Sequence, residues 1–336
     1  MASTYDHTEG GTSIREALRA LRHASNFGDA QGLSVVVGAA PPLELTPADS
    51  TPPRLEAAPS IEGEALSARH VGAADTGVVA FLDGIQTSRT FLTGPGGLPV
   101  VHGTAAAVIR RRTDRTLHAW GGAPRVSRAV YAPLALLGAR VVDGLRVMRM
   151  EVVDTLTDAD PPSLDHPALF LLLARHAVQE RRETLERALA VRWCEAETEP
   201  LFVDGGISGL GAASRSALAI GVVKSHRTLY TVPATLGVVT GLAAGERTTA
   251  FEIRHESSRR TPVASWYLRL RDAHGRDPFF GLVRIEVARD SWSPARADEV
   301  SRWVLAERAP VSLPDRRWST MAYGIRDCEE YLRSVV

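Results

Sequence analysis

The sequence predicts an α/β fold in which helices surround a mixed β-sheet. Two apolar segments of strand length, "TGVVAFLDG" at 76–84 and "PLFVDGG" at 200–206, each end in an Asp-Gly pair. A helical segment lies between them, from Asp165 to about Trp193. Two further strand-like segments, 264–272 and 279–288, are joined by the turn-rich "DAHGRD". A long helix with strands on both sides of it in the sequence favours a mixed sheet.

Composition excludes several classes of protein. With 336 residues and 44% hydrophobic content, the chain can bury one large core or two moderate ones. Its 39 basic and 39 acidic residues cancel, so the overall charge does not predict nucleic-acid binding. Two cysteines, Cys194 and Cys328, are too few for a disulfide framework or a cysteine zinc site. No apolar run spans a bilayer and the first residues lack a signal peptide, so we expect a soluble cytoplasmic protein.

The first 75 residues are predicted to lie outside the main domain. Residues 13–24 have the pattern of a short amphipathic helix with Ser13 as its N-cap. The following residues, 41–59, are rich in proline and alanine, which is typical of an extended arm. The sequence therefore divides into an N-terminal helix and Pro-rich arm at 1–75 and one domain at 76–336.

Inside that domain, five more segments are expected to form strands or a helix. The segments 99–112 and 115–122 indicate two antiparallel strands. Residues 139–154 are expected to add a strand or a pair of strands, and 248–254 one more. The last segment, 317–336, has the pattern of a helix.

The glycines of "GGISGLGAA" do not form a dinucleotide-binding fingerprint. The G-x-G-x-x-G spacing would require glycine at 204, where the chain has Asp204. Twenty residues further on, where a ribose-binding carboxylate is expected, it has Lys224. A carboxylate at the first position would repel a pyrophosphate. The segment is therefore more informative for its aspartate, as a candidate site residue, than for its glycines.

The order of the acidic residues points to metal-dependent hydrolysis. Asp83 ends the first strand, a helix with several glutamates follows, and Asp204 ends a later strand. Ribonuclease-H-like nucleases bring their carboxylates together in this order. Two divalent cations about 3.5–4 Å apart hydrolyse a phosphodiester, and hard cations take oxygen ligands.

Three short motifs resemble those of the NurA nuclease domain: "VVAFLDGIQ", "LFVDGGISG" and "AIGVVKS". The resemblance covers about 76 to 331 and implies a ribonuclease-H-like mixed sheet curled toward a barrel. It also implies that Asp83, a helix glutamate and Asp204 hold the metal. Lys224 matches the family lysine and would neutralise the scissile phosphate. It is the only lysine of the chain, although arginine-biased coding could also leave one lysine by chance.

The helix offers three candidates for the glutamate, namely Glu180, Glu183 and Glu186. Glu186 has apolar residues three and four positions on, so it borders the predicted buried stripe. That stripe is expected at Leu173, Ala177, Leu185 and Leu189. We therefore assign Glu186 as the ligand.

The C-terminal motif departs from the family pattern. The family has a tyrosine-proline stretch followed by an alanine-histidine pair, whereas this chain has "AYGIRDCEEYL" with Tyr323 and Asp327. Asp327 stands where the histidine is expected and is the candidate fourth ligand. The same charge run is also typical of a solvated helix face.

The resemblance implies a metal-dependent DNA nuclease that uses Mn²⁺ or Mg²⁺. It further implies a homodimer that works with a HerA-type hexameric ATPase in DNA end processing or defence against phage. The chain has no P-loop of its own, which is consistent with a motor on another chain. Two alternatives remain: an inactive scaffold that docks the ATPase or DNA, and a Piwi-like nuclease core.

Other candidate features have a structural and a functional interpretation. An Asp-Gly pair after a strand is also a turn signal. Arg110, Arg111 and Arg112 could contact DNA backbone, but an arginine-rich hairpin tip is more often solvated. Four aromatic residues could stack on bases but are expected in the core: Trp266, Tyr267, Phe279 and Phe280.

Overall fold

The structure is a computed structural model that describes residues 14–23, 34–35, 52–113, 116–156, 166–255, 260–308 and 323–336. The chain forms two compact units, each made of three segments. The smaller unit contains Met1–Ser50, Ile85–Ala106 and Val126–Glu183, and the larger contains Thr51–Gly84, Ala107–Arg125 and Thr184–Val336. All five predicted site residues belong to the larger unit.

The fold is mixed α/β, as predicted. The strands are β1 Ser34–Val35, β2 Arg54–Glu56, β3 Ala68–His70, β4 Ala80–Thr93, β5 Pro99–Thr113, β6 Thr116–Ala119, β7 Arg125–Ala132, β8 Glu151–Asp154, β9 Leu201–Asp204, β10 Ala219–Val223, β11 Thr228–Tyr230, β12 Glu246–Thr248, β13 Phe251–Ile253, β14 Val263–Arg269 and β15 Leu282–Ala288. The helices are α1 Ile14–His23, α2 Leu134–Leu137, α3 Ala139–Arg146, α4 Pro167–Ala196, α5 Leu236–Thr240, α6 Pro294–Ala306 and α7 Tyr323–Val335. Among these described residues, no helix is long and apolar enough to cross a membrane.

The larger unit is built on a mixed sheet whose strand order is β3-β12-β14-β15-β10-β9-β4-β5. Strands β4, β9 and β10 are parallel to one another, whereas β10, β15 and β14 are antiparallel. Strands β9 and β10 are short and apolar, and so are the first residues of β4, as expected for strand segments that are buried on both faces. In the described part of the chain the order of strands does not return to β3, so the curl expected from the resemblance does not close into a barrel.

The core of the larger unit packs the second half of α4 against the parallel strands. Leu189 and Trp193 of α4 share one cluster with Leu82 and Val203. Helix α7 covers the first parallel strand, where the Cys328 thiol donates a hydrogen bond to the Phe81 carbonyl at 3.2 Å. Asp83 and Asp204 follow directly after Leu82 and Val203, so the core positions both carboxylates.

The smaller unit has its own core and shows where one sequence prediction was wrong. Strands β7 and β8 are parallel, and a separate apolar cluster includes Phe91, Val141, Leu145 and Phe170. Only the last part of the segment 139–154 is a strand, and its first part is α3. The reason is that Val141 and Leu145 are four residues apart and bury one helical face.

Most of the other predicted elements were confirmed. The long helix begins at Pro167 and runs to Ala196, while its expected cap, Asp165, lies outside the described residues. Of the predicted stripe only Leu189 is fully buried, and the other three positions are half-buried. Sequence analysis missed α6, although Ser293 caps it by accepting a hydrogen bond from the Arg296 amide at 3.1 Å. Residues 52–75 contribute β2 and β3 to the larger unit's paired strands, and the boundary at 75/76 stays a prediction.

The three consecutive arginines of β5 are ion-paired rather than solvated. Each binds carboxylates of another segment at 3.0 Å or less: Arg110 with Asp327, Arg111 with Glu197 and Glu199, and Arg112 with Glu307. These pairs fasten β5 to α7, to the end of α4 and to the end of α6. The interpretation as a solvated hairpin tip was therefore wrong.

The four aromatic residues divide into two pairs. Trp266 and Tyr267 are fully buried, which confirms the core interpretation for them. Phe279 is exposed and Phe280 is half-buried, because both lie in the turn before β15. The Phe279 ring stacks on His226, with ring centroids 5.4 Å apart.

We expect Gly324→Ala to destabilise the protein by about 1–3 kcal/mol, the usual cost of overpacking a tight contact. A Cβ atom on Gly324 would lie 2.3 Å from the Phe81 ring, so α7 must move away from β4. Thermal denaturation would measure the change. Gly237→Ala in α5 is the matched control, since its Cβ would meet nothing within 4 Å. Equal melting temperatures for Gly324→Ala and the wild type would contradict this docking of α7.

Candidate active site

Asp83 and Asp204 lie side by side on neighbouring parallel strands. In the register of β4 and β9, Leu82 is opposite Val203, and each aspartate is the next residue. Asp83 is not the last residue of its strand, because β4 continues to Thr93. Its side chain is buried, with 8% exposure of the residue, and its Oδ1 accepts a hydrogen bond from the Gly84 amide at 2.7 Å. The sheet therefore brings together two carboxylates that are far apart in the sequence.

The two carboxylates repel each other. Burial raises the pKa of Asp83, and the nearby Asp204 and Glu186 carboxylates raise it further, against the lowering effects of Lys224 and the Gly84 amide. The result is a pKa of about 8 instead of 3.8. The three carboxylates thus influence one another, and the positive charge near them does not offset the burial and repulsion that raise the pKa of Asp83.

Lys224 supplies part of that positive charge. It follows β10, which is parallel to β9 with Val222 opposite Asp204. The Lys224 Nζ lies 2.6 Å from the Asp204 Oδ1. That oxygen is buried and accepts no well-aligned hydrogen bond, so the contact is an ion pair in which the ammonium acts as a point charge.

Burial distinguishes Glu186 from the other two helix glutamates. Glu186 is 8% exposed and lies one turn before the buried Leu189 and Ala190. The side chains of Glu180 and Glu183 are 64% and 45% exposed. The charge of Glu186 also contributes to the raised pKa of Asp83, while its role as a metal ligand stays a prediction.

Asp327 is held by an arginine next to the site. Its Oδ2 accepts a hydrogen bond from the Arg110 Nε at 2.6 Å, and the Arg110 guanidinium stacks on Tyr331 at 4.2 Å. The next residue, Cys328, donates a hydrogen bond to the Phe81 carbonyl, two residues before Asp83. Burial, and then the charges of Asp83 and Asp327, raise the pKa of its thiol. Asp327 is thus near the site, but its carboxylate is occupied by Arg110.

The chemistry of the donor set fits a hard divalent cation. Asp83, Asp204 and Glu186 offer carboxylate oxygens, the ligands that Mn²⁺ and Mg²⁺ prefer. The raised pKa of Asp83 means that a cation would relieve the repulsion between buried like charges. Among the described residues, no three Asp, Glu, His or Cys side chains are already arranged around one cation position. A cation would have to share Asp204 with Lys224 and draw the carboxylates together.

Sequence reasoning missed one residue beside the site. Glu286 of β15 is 3% exposed and accepts a hydrogen bond from the Ile207 amide, three residues after Asp204. The signal was present in "LVRIEVA", where Arg284 and Glu286 fall two positions apart, on one face of an otherwise apolar strand. Charged residues on one face of a strand buried on both faces indicate a buried ion pair.

Comparison with known proteins gives one structural relative of interest. No family model matches the chain, and no curated protein matches it by sequence. The crystal structure of the NurA nuclease from Sulfolobus solfataricus is similar, with a TM-score of 0.47 and 10% identity over 79% of this chain and 81% of that chain. It carries the name of the family that the sequence motifs resemble. At this identity and TM-score, no conclusion about activity passes from one protein to the other.

We expect Asp83→Asn to stabilise the metal-free protein above neutral pH. Because the pKa of Asp83 is higher in the folded protein than in the unfolded chain, folding binds a proton between about pH 4 and 8. The wild type therefore loses stability as the pH rises through this window, and the asparagine variant does not. Each pKa unit corresponds to about 1.4 kcal/mol, so the difference in unfolding free energy should reach a few kcal/mol.

Chemical denaturation in EDTA at pH 4, 6, 8 and 9 would measure this difference. Asp143→Asn, at a side chain that is 71% exposed, is the control and should show no such trend. If the difference in unfolding free energy between Asp83→Asn and the wild type stays constant with pH, the pKa of Asp83 is not raised by folding.

Proposed function

We propose that this protein is a metal-dependent deoxyribonuclease that hydrolyses phosphodiester bonds. One observation carries the proposal: Asp83 and Asp204 are held side by side on parallel strands, with Glu186 nearby and Lys224 against Asp204. Keeping two like charges this close is costly, and such arrangements are concentrated at functional sites. The order of these residues in the sequence, and the motifs around them, resemble those of the NurA nuclease domain.

Each residue has a proposed task. Asp83, Asp204 and Glu186 would hold Mn²⁺ or Mg²⁺, which when bound supplies an activated water and stabilises the leaving oxygen. Lys224 would place its ammonium near the reacting phosphate, and part of its charge becomes available once a cation binds Asp204. Asp327 is proposed as a fourth ligand, which requires Arg110 to release one of its oxygens or to share it.

The resemblance also supports proposals about partners. DNA would be the substrate, a HerA-type hexameric ATPase the motor, and a homodimer the working form. The role would be DNA end processing or defence against phage, in the cytoplasm.

The second candidate is a catalytically inactive scaffold that docks the ATPase or DNA. It is favoured by the Lys224–Asp204 ion pair, which occupies a carboxylate oxygen that the metal needs. It is also favoured by the lack, within the described residues, of three ligating side chains around one cation position. An activity assay and a binding assay together separate the two candidates.

We expect the purified protein to cleave labelled DNA in the presence of Mn²⁺, and Asp83→Ala and Asp204→Ala to reduce cleavage by roughly 10²-fold or more, because each removes a proposed ligand. Single- and double-stranded substrates should both be tested, with and without the ATPase. Asp143→Ala is the matched control for an aspartate outside the site and should keep wild-type activity. Equal cleavage by all four proteins would mean contamination or a different site.

Thermal shift provides an answer that does not depend on turnover. Mn²⁺ should raise the melting temperature of the wild type, because a ligand that binds only the folded state stabilises it, and this rise should vanish in Asp204→Ala. A wild type that shows neither cleavage nor a metal-induced shift would favour the scaffold.

We expect Lys224→Met to lower cleavage by roughly 10²-fold, because the charge near the phosphate is lost. Lys224→Arg should restore only part of the activity, since the planar guanidinium cannot replace a compact ammonium against Asp204. Cleavage rates at saturating Mn²⁺ would measure both, with the exposed Arg215→Met as control. Full activity of Lys224→Met at saturating metal would mean that Lys224 only neutralises Asp204 while the metal is absent.

A further inference from the structure

Glu286 is a buried acidic side chain that the proposed chemistry does not use. It lies in the middle of β15, where all seven residues are buried. The register of β10 and β15 places Glu286 opposite Gly221, one residue before Val222, which is opposite Asp204. Glu286 is therefore two strands away from Asp204, beneath the loop that leaves it.

Both oxygens of the Glu286 carboxylate are occupied by groups that hold it in place. The Oε2 accepts a hydrogen bond from the Ile207 amide at 2.9 Å, and the Oε1 accepts one from the Arg284 Nη1 at 2.5 Å. The Arg284 guanidinium also donates to the Ser265 Oγ at 3.3 Å. A charged acceptor fixed by a buried arginine binds a backbone amide more strongly than a neutral one does.

The loop 204–207 is shaped to lie on this carboxylate. Gly205 has a φ of 96° and pairs with β10 by donating its amide to the Val222 carbonyl at 3.0 Å. A Cβ atom on Gly206 would lie only 2.8 Å from the Glu286 Oε2, so glycine is required for this close approach. The backbone on the C-terminal side of Asp204 is thus fixed at two points, by the Gly205 amide on β10 and by the Ile207 amide on Glu286.

We propose that Glu286 is a positioning residue for the metal site. By holding the Ile207 amide, it keeps the Asp204 carboxylate between Asp83 and Lys224, and so keeps the ligands ready for the cation. The expected effect of Glu286 on cleavage rests on the proposed function. Its expected effect on the position of Asp204 does not.

The simplest competing role for Glu286 is that of an ordinary buried ion pair. The chain contains a close match for that role in Glu62, which is 6% exposed. Glu62 accepts two hydrogen bonds from Arg247, at 2.7 and 2.9 Å, and one from the Ala250 amide at 2.9 Å. Arg247 belongs to β12, which is four strands from β9 in the sheet order. Glu62 therefore serves as a control with the same chemistry away from the site.

The first test replaces both partners of each ion pair by apolar residues, so that neither buried partner is left with an unpaired charge. Asp298, which also binds Arg247, is 32% exposed and can be hydrated when Arg247 is replaced. We expect Arg284→Met with Glu286→Leu to lower cleavage roughly tenfold or more, as is usual for residues that orient metal ligands. Arg247→Met with Glu62→Leu should keep cleavage within about twofold of wild type, even where it lowers the melting temperature equally. Equal losses in both double variants would overturn the positioning role.

The second test displaces Glu286 without removing a charge, and so does not depend on the double variants folding. Gly206→Ala pushes the carboxylate away from the Ile207 amide and should lower cleavage and raise the Mn²⁺ concentration needed for half-maximal rate. Gly209→Ala, in the same loop, is the control because its Cβ would meet nothing within 4 Å. Wild-type cleavage and metal dependence in Gly206→Ala would overturn the proposal.

The third readout is spectroscopic and needs no turnover. Lys224 is the only lysine, so protein labelled with [ε-¹³C]lysine gives one lysine side-chain NMR signal, which reports the contact with Asp204. We expect this signal to shift in Gly206→Ala and in the Arg284/Glu286 double variant, but not in Gly209→Ala or the Arg247/Glu62 double variant. An unshifted signal in all four would contradict the positioning role. Absence of cleavage by the wild type would contradict only the proposed function, and the lysine signal would then decide by itself.

Discussion

The parallel pairing of β4, β9 and β10 is the constraint on which the rest of the site depends. Its register places Asp83 beside Asp204, while Lys224 follows the next strand. Left to themselves, two carboxylates in a buried setting would separate or take up a proton. The apolar residues that precede them anchor both strands in one core, so the free energy of hydrophobic burial keeps the two carboxyl groups adjacent. Because they cannot separate, Asp83 binds a proton below about pH 8, and a bound cation would take the place of that proton.

Buried and half-buried arginines link segments of this chain that are far apart in the sequence. On β5, three consecutive arginines reach three different segments. Because side chains alternate along a strand, Arg111 points to one face and Arg110 and Arg112 to the other, where they reach α7 and the end of α6. Arg247 and Arg269 are both fully buried, the first among carboxylates and the second among backbone carbonyls of residues 240–242 and 278–280. Planar guanidinium groups suit such multiple contacts, whereas the site has the one ammonium.

The sequence alone was sufficient for local features, although it ended the first strand at Asp83 whereas β4 continues to Thr93. It indicated the fold class, the long helix and the two Asp-Gly strands, because apolar periodicity and turn chemistry are local signals. It could not give the strand order, which is a matter of pairing between segments far apart in the chain. For the same reason, it missed the partners of Arg110 and Asp327 and the support that Glu286 gives to Ile207. Segment 139–154 was misread because a short run of valines suits a strand as well as one turn of helix.

The ion pairing of the three β5 arginines affects how a polyanion would reach the carboxylate pair. An enzyme that draws DNA from solution relies on exposed positive charge, which accelerates encounter and makes it sensitive to salt. This chain has no net charge, and its densest group of described arginines is neutralised by its own carboxylates. Neither the net charge nor these three arginines would supply such a field. A strand fed into the site mechanically would not need such a field.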